Sequence, residues 1–106
     1  MKKKIQFDVL LDENKLPKNI IMNTSDSEKN NIKALLLSAW DPKAQDTLRI
    51  DLWTKDMKVN DMHILFHQTM LSLATTLERS TGEQKLAEAL RDYCDFFAEE
   101  TKIVSR

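Results

Sequence analysis

Two histidines, His63 and His67, stand four positions apart, so a helix projects both from nearly the same side. That spacing can chelate zinc. The metalloprotease form needs a glutamate directly after the first histidine, and here the intervening apolar residues are Ile64, Leu65 and Phe66. No Cys-x-x-Cys pair and no evident third ligand accompany them. Both lie at the edge of an apolar stripe beside Met70 and Ala74, where hydrogen-bonded core-edge histidines are the simpler reading. Paired carboxylates do acid–base work when burial splits their pKa values. Asp51 and Asp56 flank Trp53 and Lys55, and Asp92 and Asp95 flank Cys94, but such charges more often form a solvated face. Cys94, with acidic neighbours, is expected to carry a raised pKa and an inert thiol. The chain holds one glycine, Gly82, where about 7 is average for this length. A P-loop or a dinucleotide fingerprint needs several at fixed spacing, so neither is present. No serine sits in a G-x-S-x-G elbow. No cofactor, metal or catalytic residue is expected.

The aromatic residues point elsewhere. Trp40 is expected to plug the core at the end of a first helix. Trp53 has two readings. It shares strand parity with Arg49 and Asp51, so it faces outward if Leu48, Ile50 and Leu52 face the core. An outward tryptophan beside an arginine is the composition of a protein–protein contact. Alternatively, the loop after the strand folds over it. With Leu10, these residues (Trp53, Arg49 and Asp51) make the candidate interaction surface.

The elements that must position them follow from periodicity. Ile5, Phe7, Val9 and Leu11 alternate with polar residues as a half-buried strand, and DENKLPK supplies turn chemistry before a second strand over 19–24. Ser25 and Glu28 fit a capping box, and Ile32, Leu35, Leu36 and Ala39 follow at helical spacing, which predicts a helix ended by Pro42. TLRIDLWT (47–54) alternates again and predicts a third strand. A long helix over 59–79 places Phe66 and Leu73 at its core centre. Gly82 breaks it, and a last helix from Glu83 buries Leu86, Leu90, Tyr93 and Phe97. The expectation is a single α+β domain over residues 1–106. It has a small three-stranded antiparallel sheet and three helices, in the order β-β-α-β-α-α.

Composition bounds the rest. The 106 residues are 42% hydrophobic and 31% charged with net charge −1, an ordinary globular mixture without the basic surface of a nucleic-acid binder. One cysteine cannot form an internal disulfide. The lysines at 2–4 lead into a stretch cut by Gln6, Asp8 and Asp12, so no signal-peptide core forms, and no run suits a membrane span. A cytoplasmic protein is expected.

LSAWDPKAQDTLRIDLWTKDM (37–57), FHQTM (66–70) and DYCDFFAE (92–99) resemble the gliding-motility protein C (GldC) family of the Bacteroidota, in the same order over nearly the whole chain. The resemblance implies a small cytosolic accessory protein of the gliding machinery, linked to type IX secretion, with no catalytic residues to carry over. Lys58 departs from the family pattern, in which proline is common, and bears on how the central helix starts. The leading expectation is therefore a non-enzymatic interaction protein, homodimeric, with a protein partner in gliding or secretion machinery. A chaperone-like binder of unfolded or exported chains is the alternative. A small metal-dependent enzyme around His63 and His67 comes third.

Overall fold

All strands precede both helices. The computed structural model describes residues 1–103, apart from the side chains of residues 27 and 28. It divides into two compact units, Met1–Met57 and Lys58–Arg106. The first contains β1 (Ile5–Leu11), β2 (Pro17–Thr24), β3 (Ser27–Ile32), β4 (Ala34–Asp41) and β5 (Asp46–Trp53). The second contains α1 (Val59–Thr81) and α2 (Gln84–Thr101). The α+β class is as expected, with two helices in place of three.

The predicted first helix does not exist. Residues 27–32 and 34–41 are strands, and the one described end of the expected capping box, Ser25, instead donates its backbone N–H to the Lys4 carbonyl beside the start of β1. The Glu28 side chain lies outside the described residues. Leu35, Leu36 and Leu37 form a short apolar run, and a run of that length fits a strand as well as a helix. Pairing with β2 and β5 decides in favour of strands, a case of tertiary context overriding local propensity. Pro42 then opens a hairpin turn instead of ending a helix. Asp41 Oδ1 accepts the Lys43 N–H at 3.0 Å, and Gln45 takes the left-handed conformation at φ 53.

The expected single sheet is consequently two. β1-β2-β3 form one antiparallel sheet, and β4-β5 form a second, two-stranded one. In the first, Ile20 on the central strand lies between Val9 and Ile32 and is completely buried. Phe7 pairs with Met22 one step along on the same face. In the second, eight residues of each strand pair without a register shift. Cross-strand partners share a face, so Leu35/Leu52, Leu37/Ile50 and Ala39/Leu48 line one side. Ala34/Trp53, Leu36/Asp51, Ser38/Arg49 and Trp40/Thr47 line the other. Trp40 is 60% exposed and does not plug a core, which corrects the expectation.

In the helical unit, α1 ends at Gly82, whose φ of 75 lets its N–H reach the Glu78 carbonyl at 2.8 Å. A two-residue link leads into α2. The seam is made of small residues, Ala74, Ala87 and Cys94, all fully buried. Arg91 spans it, bonding Glu78 at 3.0 Å and Glu88 on its own helix at 2.6 Å. Phe66 and Leu73, expected at the core centre, are 43% and 54% exposed. The inward positions fall one residue beyond each of them, at His67 and Ala74. The inner edge of α1 carries His63 and His67 against the Phe97 ring and, further along, Ala74, whose small side chain lets the two helix backbones approach.

Candidate functional site

The β1–β2 turn is organised by one carboxylate. Asp12 Oδ1 accepts the N–H groups of Asn14 at 2.8 Å and Leu16 at 3.0 Å, while the Asp12 carbonyl accepts the N–H of Lys15 at 3.0 Å. Its Oδ2 is shielded from solvent, and its partner is the Lys55 ammonium, from just beyond β5. The Lys55 ion pair and these backbone donors hold the Asp12 carboxyl below its ordinary pKa of 3.8.

The segment after β5 is tied equally closely. Thr54 is 3% exposed, and its three polar groups are all used. Its N–H donates to the Lys33 carbonyl at 2.9 Å, its carbonyl accepts from Met57 at 3.1 Å, and its hydroxyl donates to Asp56 at 2.7 Å. Asp56 also pairs with Lys33, which lowers its pKa, with the Thr54 bond the next cause. In TKDM, therefore, three successive side chains brace the end of the hairpin.

Lys55, with Leu16, Pro17, Asp51, Leu52 and Trp53, lines a groove of about 280 Å³. Trp53 is 54% exposed, so of its two readings the loop does not cover it. The structure brings Asp51 and Trp53 together here. Arg49 joins through an ion pair with Asp51 and a hydrogen bond to Ser38. Leu10 is exposed but is not part of the lining. Leu16, Pro17, Lys55 and Asp12 were missed by sequence reasoning. The aspartate at the head of DENKLPK announced its turn, but nothing local announced its long-range lysine.

Other candidate chemistry is placed differently. His63 and His67 lie against Phe97, with ring centroids 6.0 Å and 6.4 Å away. Among the described residues, no three His, Cys, Asp or Glu are grouped to hold a metal. Cys94 is buried, and burial, then the Asp95 charge, pushes its thiol pKa up.

Fold and site together define an α+β protein in which five strands precede a helical hairpin, with a braced apolar groove on the β unit. Residues 17–103 match the family model described as gliding motility-associated protein GldC-like. The chain belongs to that family. Neither a curated protein nor a solved structure matches it. Among the described residues no helix is long and apolar enough to cross a membrane.

Proposed function

We propose that the chain is a non-enzymatic interaction protein of the gliding machinery, self-associating and acting from the cytosol. One observation carries this reading: a half-exposed tryptophan at the edge of an apolar groove whose walls are held by ion pairs. Large aromatic anchors beside such grooves dominate binding energy in protein interfaces. The surrounding braces keep the groove open without a ligand, which lowers the ordering cost of association. The cytosolic placement and the tie to type IX secretion are what the family resemblance implies.

A crosslinked pull-down from the native cell tests the reading. Wild-type bait should enrich one or a few native proteins, and Trp53→Ala should lose them while its circular dichroism spectrum is unchanged. An identical set of captured proteins with both baits would count against the groove.

A second reading, a chaperone-like binder, is favoured by apolar side chains exposed on many elements, among them Ile5, Leu48, Phe66 and Tyr93. Suppression of aggregation of unrelated unfolded proteins, at stoichiometric chain, would move the conclusion there.

A further inference from the structure

We propose that β5 is the dimerisation strand, and that it pairs antiparallel with β5 of a second copy in the one register that places Ile50 opposite Ile50.

The β4-β5 sheet has only two strands, and among the described residues no further strand pairs with either edge. An isolated two-stranded sheet is marginal in water, and an unpaired edge is a template for another strand. Natural edges are usually blocked by lysine, proline or a bulge. β5, DTLRIDLW, has no lysine and no proline, its ladder to β4 is unbroken, and its two central charges, Arg49 and Asp51, are of opposite sign and so can face a second copy without repulsion.

The sequence of β5 is complementary to itself when reversed. Centred on Ile50, the antiparallel register sets Arg49 opposite Asp51 of the second copy and Asp51 opposite its Arg49. Leu48 then faces Leu52, and Trp53 faces Thr47. Opposite charges facing across a ladder are favourable, and like charges are unfavourable. Sliding by one pair in either direction sets Arg49 against Arg49 or Asp51 against Asp51. A slip of a single residue turns the apolar face of one copy to the polar side of the other. Among registers within one pair of it, the Ile50-centred one alone avoids both faults, and larger slips shorten the ladder and lose the Arg49–Asp51 pairing.

The backbone agrees with it. The Thr54 N–H points toward the β4 side, to the Lys33 carbonyl. Alternation then turns the N–H and C=O groups of Trp53, Asp51, Arg49 and Thr47 to the free edge. Those four residues pair with one another across the two-fold axis, giving about eight hydrogen bonds. Arg49 and Asp51 already form an ion pair within the chain, at 48% and 42% side-chain exposure, and the dimer closes four such charges into one alternating cluster. On the opposite face Leu37, Ile50 and their copies form a continuous apolar row over four strands. A two-fold interface needs one self-complementary patch, and this strand is one.

The pairing adds a surface and a register to the self-association in the proposed function, and the two fail separately: a lost native partner leaves the dimer intact, and a lost dimer is seen with purified chain alone. The test uses the full chain in sedimentation equilibrium and mild oxidation. Wild type should be dimeric at micromolar concentration. Arg49→Asp and Asp51→Arg, each alone, should raise the dissociation constant by about tenfold or more, since each sets two like-charged pairs face to face. Mixing the two variants should restore a dimer, because each copy then carries the charge the other lacks. This restoration also shows that both variants are folded. Ile50→Cys should crosslink to its copy on oxidation, because a non-hydrogen-bonded pair brings the two Cα atoms to about 4.5 Å. Leu48→Cys should not, its copy lying about 13 Å along the strand. The native Cys94 is buried and does not compete. A monomeric wild type, a dimer indifferent to both charge variants, no restoration on mixing, or crosslinking at 48 in place of 50 would each overturn the proposal.

Discussion

Lys58 sits at the start of α1 with φ −79 and ψ 148, without a side-chain cap. That φ is within the range a proline ring imposes, and among the described residues the Lys58 N–H has no hydrogen-bond acceptor, while its carbonyl accepts from Met62 at 2.9 Å. Lys58→Pro should therefore stabilise the chain, by about 0.4–1 kcal/mol, by removing unfolded conformations without loss of a native bond. A chemical-denaturation midpoint that falls would show that the backbone before α1 is not proline-compatible. Gly82 gives the opposite case. A Cβ there meets nothing within 4 Å, so the cost of Gly82→Ala is conformational alone, about 1–2 kcal/mol from its left-handed φ. Equilibrium unfolding measures it. With no second glycine in the chain, the other left-handed positions among the described residues are filled by Lys15, Gln45 and Lys102.

At the scale of elements, the seam of the helical hairpin predicts an inversion of the usual ranking. Ala74 is completely buried, whereas Phe66 is not. Ala74→Leu should overpack the seam and cost about 1–3 kcal/mol. Phe66→Ala should cost about 1 kcal/mol or less, against about 2–5 for truncation of a core residue. Thermal melts of the two variants decide it, and a larger loss at Phe66 would return the core to the stripe the periodicity suggested. The same comparison shows how much was legible. β1, β2, β5 and both helices stand close to where alternation, helical spacing and Gly82 placed them. β3 and β4 were not legible. Glu28, Lys29, Leu35, Leu36 and Ala39 have good local helix propensity, and what makes them strands is pairing with residues distant in sequence. The site was legible in part for the same reason. Strand parity placed Asp51 and Trp53 on one face, but the opposite wall of the groove, Leu16 and Pro17, belongs to the β1–β2 turn and the start of β2, far earlier in the chain.

For the molecule as a whole, two depressed carboxylates contribute to the response to acid. Asp12 and Asp56 both have pKa values lowered from 3.8, by Lys55 and Lys33 respectively and by the bonds around them. Where the unfolded chain has begun to take up protons at these sites and the folded chain has not, folding is opposed. Their contribution is thus fully present above about pH 4 and is lost as pH falls through the lower folded values. Stability measured from pH 6 to pH 2 should decline at the acid end, and Asp12→Asn should flatten that decline. An unchanged slope would mean that the Asp12–Lys55 pair is already broken near neutrality.

That pair also carries a message about time. Asp12 shapes its own turn through Asn14 and Leu16, close neighbours that can find it within microseconds of the hairpin closing. Lys55 belongs to the far end of the β unit and can reach the same carboxylate only after β2 to β5 have been laid down. The local bonds close a short loop and the ion pair a long one, so the ion pair is expected to form later in folding. Removing the lysine, as in Lys55→Met, should leave the refolding rate almost untouched and appear as faster unfolding. On a ribosome, the turn forms early and waits for its counter-ion until the last strand of the unit has emerged.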